Sequence, residues 1–253
     1  FAVKRHIRLS KGRLLPSAPC RAENQKAIIR YVSTNGNRVL TTDEVTGKSG
    51  EAIAYSTTSQ ITEFKKQGYK LVSDEFTAGG AKVYDYDTAR DQVYTVTLSE
   101  RVEPVNPDNP TPQPNTPVNP GQPDSPRWPG TVENLDNKES VSRTIHYVYE
   151  DGSRAKDDVV ETLNFKRWSN VNLVTGHIDF QDWTTNDDTF DKVVSPTIAG
   201  YTADKSEIPA VSGVQAKDQD RVETVTYRKD AQKAVIRYVS TNGNRVLTTD
   251  EVT

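Results

Sequence analysis

The chain is 253 residues long, 26% charged and 34% hydrophobic, with a formal net charge of −3, which suits one large or two ordinary domains with small cores and broad polar surfaces. No apolar run approaches the roughly 18 to 20 residues that cross a bilayer. The single cysteine, Cys20, excludes a disulfide framework and a cysteine-based zinc site, and the absence of methionine leads us to expect a fragment or processed product.

The opening stretch FAVKRHIRLSKGRLLPSAPCR holds Lys4, Arg5, Arg8, Lys11, Arg13 and Arg21 without an acid, leaving 26 basic against 35 acidic residues in the remainder. An acidic body argues against nucleic acid as a partner, which calls for a basic face. Residues 1–24 are read as a basic leader outside any domain.

From residue 25 the pattern becomes that of a folded module. AIIRYVS is rich in β-branched and aromatic residues and leads into Asn35-Gly36, a pair suited to the positive φ angles of a two-residue hairpin turn, with VLTTDEVT as the return strand. STTSQITEFKKQGY reads as one short helix: Thr57 with Gln60 suits a capping box, Ile61 and Phe64 share a face, and Gly68 can end it. YKLVSDEF, KVYDYD and QVYTVTLSERV then alternate as strands do. Hairpin, helix and further strands in this order are those of a β-grasp fold with its first and last strands paired centrally. The first module is placed at residues 25–103.

Residues 104–130 are a linker that carries 10 of the chain's 14 prolines, a density that removes backbone donors and favours extended polyproline geometry. It reads as a semi-rigid spacer. Residues 131–230 repeat the plan of the first module: IRYVSTNGNR from Ile29 aligns with IHYVYEDGSR from Ile145, QGYKLVSDEF from Gln67 with AGYTADKSEI from Ala199, and VYTVTL from Val93 with VETVTY from Val222. This second, longer module turns its hairpin at Asp151-Gly152. It carries an insertion, read as an extra hairpin around Thr175-Gly176 and a short helix near Asp187 to Val193.

Residues 231–253 nearly restate the start. Gln232 to Thr253 matches Gln25 to Thr46 at 22 positions with one difference, Val235 for Ile28, at an offset of 207 residues. That is the signature of a tandem array whose period is a two-module unit. The tail is expected to be the truncated start of the next repeat, and a lone hairpin is expected to be poorly packed. The fold class is therefore α+β, mainly β: two β-grasp (ubiquitin-like) modules in an elongated tandem arrangement joined by a proline-rich spacer.

Signals for chemistry are sparse. Outside the leader's His6 there are two histidines, His146 and His177, no GxSxG elbow and no phosphate-cradling glycine loop. No enzymatic activity and no organic cofactor are expected. Asp187, Asp188 and Asp191 form an oxygen-rich stretch that could hold Ca²⁺, without the alternating pattern of an EF-hand loop, and a helix N-cap at Asp187 is the competing reading. Tyr84, Tyr86 and Tyr94 could present a sugar-stacking face, since an aromatic ring buries apolar sugar surface. Trp168 and Trp183 read first as core; if one binds ligand, Trp183 is the choice, flanked as it is by Gln181, Asp182 and Thr184.

The IxYVxxNGxR hairpin module, paired with a longer module carrying RTIHYVYEDG, NFKRW, a Thr-Gly followed by Trp, and VVSPTIAGYTAD, resembles the Mub repeats (MucBP type) of mucus-binding adhesins from lactobacilli. The similarity spans residues 25–229. It implies a secreted, cell-wall-anchored surface protein of tandem β-grasp-like repeats that adheres to mucin glycoproteins, by weak multivalent contacts to their glycans. Immunoglobulin binding is the alternative that the resemblance brings, through exposed strand edges or the face of the helix at 57–67. A passive spacer that binds nothing is the third reading. No membrane insertion is expected of this stretch.

Overall fold

The computed structural model describes residues 22–252. Cys20, His6 and nearly all of the expected leader lie outside the described residues. Among the described residues the structure is mainly β with one α-helix, and it divides into two units: residues up to Arg101 with Pro117–Arg127, and Val102–Thr116 with the chain from Trp128 onward.

In the first unit β1 (Asn24–Ser33) and β2 (Val39–Lys48) form a hairpin, followed by α1 (Thr58–Lys66), β3 (Tyr69–Asp74) and β4 (Gln92–Glu100). The sheet order is β2-β1-β4-β3, with β1 and β4 parallel at its centre, as the repeat pattern predicts. Alternation along β1 sends Gln25, Ala27, Ile29, Tyr31 and Ser33 inward, all buried. The helix lays Ile61 and Phe64 on that face, and burial of each stabilises the unit by roughly 1.5–3 kcal/mol. The aromatic packing is specific: Phe64 sits 5.6 Å from Tyr31 and edge-on to Tyr69 at 5.7 Å.

Three local expectations change. The positive φ angles fall on Gly36 and Asn37, at 68° and 51°, one residue later than Asn35-Gly36. A bulge after Tyr31 shifts the register, and Ser33 N–H closes the loop on Arg38 O at 2.8 Å. Thr57 makes no capping bond; its hydroxyl donates instead to Asp74 Oδ2 at 2.6 Å, tying the helix start to the end of β3. Residues 82–87 form no strand beyond the single bridge between Ala52 and Val83.

The run QVYTVTLSERV breaks at Arg101: β4 belongs to the first unit, and β5 (Val102–Val105) to the second. The proline-rich segment is therefore divided between the units and is no free-standing spacer. Pro104 lies within β5, opposite Asn170; β5 is the edge of its sheet, where a missing N–H is tolerated. Within the first unit, Val118 N–H donates to Pro126 O at 2.9 Å, folding the segment back on itself.

In the second unit, after a 3-10 turn at Gly130–Asn134, come β6 (Lys138–Tyr149), β7 (Arg154–Lys166), β8 (Ser169–Asn172), β9 (Ile178–Phe180), β10 (Val193–Val194), β11 (Tyr201–Ala203), β12 (Glu207–Ile208) and β13 (Arg221–Lys229). The main sheet, β11-β13-β6-β7, repeats the order of the first unit, again with a central parallel pair. The insertion does form the extra hairpin, β8 with β9, and β5 pairs on its far side.

The expected helix near Asp187 to Val193 is absent. Asp187 Oδ1 accepts from Thr189 N–H in a turn, Phe190 pairs with Val211 across an isolated bridge while its ring is buried, and β10 pairs with β12. These partners satisfy the backbone without helical bonds. β14 (Ala234–Val239) and β15 (Val246–Val252) then form a two-stranded hairpin whose strand residues are all exposed.

Candidate functional site

In the second unit the end of β7 places Arg167 beside the β9 hairpin and the loop after it. The guanidinium carbon lies 4.0 Å from the centroid of Phe180 and 4.3 Å from that of Trp183. Arg167 Nε donates to Asp136 O at 2.8 Å and Nη2 to Asp136 Oδ2 at 3.0 Å, which fixes the planar group. Lys217 completes the cluster, 5.4 Å from the Trp183 centroid, paired with Asp136 at 3.0 Å and with Glu139. The Glu139 hydrogen bond, then that of Asp136, raises the Lys217 pKa above its ordinary value.

Glu139 also borders a cleft of about 410 Å³ formed with Asp108, Lys138, Asn164, Lys166, Thr185 and Asp187. Lys166 Nζ spans both Asp108 carboxylate oxygens at 3.0 and 2.9 Å, and Thr185 Oγ1 donates to Asn164 O at 2.8 Å. Donors and acceptors of both signs thus line the cleft alongside the apolar side chains of Leu163 and Phe165. Such a lining suits a hydroxyl-rich ligand.

The sequence candidates are dispersed by the fold. Trp183 is half-buried, packed against the Val141–Phe165–Phe190 core, and its ring is engaged by two cations rather than left open. Trp168 is 43% exposed. Tyr84 is buried and lies across Gly47, where a Cβ would stand 2.1 Å from its ring, whereas Tyr86 is 68% exposed. Tyr94 stacks edge-on with Phe76. The three tyrosines therefore do not form one sugar-stacking face, because residues 82–87 lack the strand that would align them.

Asp187, Asp188 and Asp191 are not gathered for Ca²⁺ either. Asp187 and Asp188 accept from Thr189 N–H and Oγ1, each at 2.9 Å, and the Asp191 carbonyl accepts from Arg143. Among the described residues no three His, Cys, Asp or Glu side chains come together as metal ligands. Sequence reasoning missed Arg167 and Lys217. Arg167 stands beside Trp168 in the NFKRW string, but Lys217 carries no local signal.

Residues 25–100 match the family described as mucin binding domain, and residues 132–231 match the Muc B2-like domain. The type 2 repeat of the mucus binding protein MUB from Lactobacillus reuteri is similar at 27% identity and TM-score 0.53, covering 81% of this chain and 100% of that one. The Mub-RV crystal structure is similar at 26% identity and TM-score 0.64, covering 82% and 100%. A MucBP domain of the adhesion protein from Pediococcus pentosaceus is 35% identical, covering 36% of this chain and 99% of that domain, with TM-score 0.33. This chain belongs to the Mub-repeat family. Among curated proteins none matches it. The two family matches of this Mub repeat fall one on each unit, and no helix among its described residues is long and apolar enough to cross a membrane.

Proposed function

We propose that this Mub repeat is an extracellular adhesin module that binds mucin glycoproteins through their glycans, by weak contacts that gain strength from repetition. The observation that carries this reading is the match of residues 25–100 to the mucin binding domain, set beside a Muc B2-like domain in a chain that aligns with the whole length of two solved Mub repeats. The shared strand order of the two units supports a β-grasp plan for both.

The geometry supports glycan recognition more than catalysis. The cleft bordered by Glu139 is lined by amide, hydroxyl and paired charged groups together with Leu163 and Phe165, a surface that can exchange hydrogen bonds with sugar hydroxyls. One such site binds weakly, but a second held on the same array meets its ligand at millimolar effective concentration, and avidity gains roughly 10² to 10⁴. Trp183 and Tyr86 are the aromatic candidates for the contact, Trp183 by fixing Arg167 and Lys217 and Tyr86 by its exposed ring.

The test is binding of the chain to purified mucin before and after enzymatic removal of its glycans. Binding lost on deglycosylation supports the reading. Equal binding to both forms overturns its glycan part, and no binding to either leaves the passive-spacer alternative standing. The names of the matched families and relatives carry mucin and mucus rather than immunoglobulin, so no second reading is favoured.

A further inference from the structure

The unit matched by the mucin binding domain contains a recess at the open edge of its central strand pair. Pairing between β1 and β4 begins at Ala27 opposite Gln92, so Asn24, Gln25 and Lys26 overhang with no strand beside them on that side. The loop at 87–91 folds around the overhang and leaves a recess of about 480 Å³, within the roughly 300 to 1,000 Å³ of small-ligand sites.

Gln25 lines this recess, is only 5% exposed, and buries its Nε2 without a hydrogen-bond partner. A buried amide donor left unpaired works against folding. The fold does not require it. The equivalent position in the second unit is Val141, fully buried, in the alignment that pairs Ile29 with Ile145 and Tyr31 with Tyr147.

The open edge differs in the same direction. In the second unit Asp220, just before β13, closes the overhang by accepting from Ser142 N–H at 2.7 Å. Its counterpart Asp91, just before β4, is turned away to Lys26 Nζ at 3.0 Å. The carboxylate that closes the edge in the second unit is thus engaged elsewhere here, and Gln25 Nε2 stays unpaired beside the recess.

We propose that this recess is a saccharide site that takes one hydroxyl-rich sugar residue of a glycan chain; this rests on the mucin-glycan reading above and assigns it a location. The lining supplies both donors and acceptors, Arg90, Lys48 and Asp87 among them, with Lys48 Nζ donating to Asn24 Oδ1, while Lys26 is neutralised by Asp91 and Glu44. A polyol fits that balance better than a simple anion or cation. Tyr86, exposed and adjacent in sequence to the lining residue Asp87, has its hydroxyl over Gly50 and is the nearest aromatic residue in sequence to that loop. Gly47, the cross-strand partner of Gln25, lines the recess and is itself covered by the ring of Tyr84.

The test uses the full chain and the O-glycan pool released from a purified gastric mucin, with affinity and thermal unfolding measured on each variant. Gln25→Leu is expected to weaken glycan binding about tenfold while the unfolding temperature holds or rises, because an unpaired buried donor has been removed. Arg90→Ala, at an exposed position, is expected to weaken binding with unfolding unchanged. If the parent chain binds the glycans and both variants bind as well as it does, the recess is overturned and the mucin reading stands. If the parent chain binds no glycan, both fall. A Gln25→Leu chain that unfolds earlier yet binds normally marks Gln25 as structural and likewise overturns the site.

Discussion

In the first unit the buried face of β1 carries Ala27, Ile29 and Tyr31; on the equivalent face of β6 stand Arg143, Ile145 and Tyr147. Two of the three positions are unchanged in kind, and the sheets have the same strand order. The third reflects the cover. In the first unit α1 packs on the sheet and satisfies its own backbone. The second unit is covered by irregular chain, and there Arg143, 1% exposed, donates to Pro209 O at 3.0 Å and to Asp191 O, pairs with Glu161 at 2.5 Å and lies 5.1 Å from the centroid of Phe190. A buried guanidinium, with five fixed donors, supplies the bonds that a helix would make internally. One sheet can thus accept two covers when one core position changes from alanine to arginine.

The widest difference expected within the chain is between its near-duplicate hairpins. β1–β2 is built into a four-stranded sheet with Ile29 and Tyr31 fully buried, while the matching Ile236 and Tyr238 are 46% and 47% exposed. Amide hydrogen exchange should be slow in β1, near the global limit, and almost unprotected in β14 and β15. Equal protection would show that the tail has a partner the comparison lacks.

Arg143→Ala should destabilise the second unit by about 3–5 kcal/mol, since Glu161 and two carbonyls lose their partner. The transition of the first unit in urea unfolding should not move. The reverse change, Ala27→Arg, should destabilise the first unit, where Ala27 is fully buried under a helix whose buried side chains, Ile61 and Phe64, offer no acceptor. A tolerated Ala27→Arg would break the argument that the cover dictates this residue.

Smaller effects sharpen the same contrast. Thr57→Val removes the hydroxyl that ties α1 to Asp74 and should cost the first unit about 1.5–3 kcal/mol in urea unfolding. Asp220 belongs to the second unit alone: the Ser142 N–H bond holds its pKa below the usual carboxylate value. A lowered folded pKa gives stability that is present above the ordinary value and lost as pH falls through the folded one. Asp220→Asn should therefore flatten the acid limb of the second unit's stability curve and leave the first unit's unchanged.

Much of the sheet plan was legible because period-2 burial is strong along β1, β4, β6 and β13, and because the internal repeat aligns Tyr31 with Tyr147 and Val96 with Val225. The helix was legible from Ile61 and Phe64 at helical spacing. What failed depended on long-range partners. Tyr84 and Tyr86 alternate like strand residues, yet one is buried over Gly47 and the other exposed, because no neighbouring strand pairs with them. Asp187 looks like a helix start until Phe190 is seen paired with Val211. The candidate sites were the least legible part: Arg167 and Lys217 meet Trp183 from positions 50 residues apart, and Gln25 shows its isolation only in three dimensions.

The central claim is that this repeat recognises mucin through its glycans, and the most direct test is equilibrium binding of the chain to one purified mucin in native and deglycosylated forms. The account predicts measurable binding to native mucin that disappears when the glycans are removed. Binding that persists undiminished on the stripped protein would contradict it.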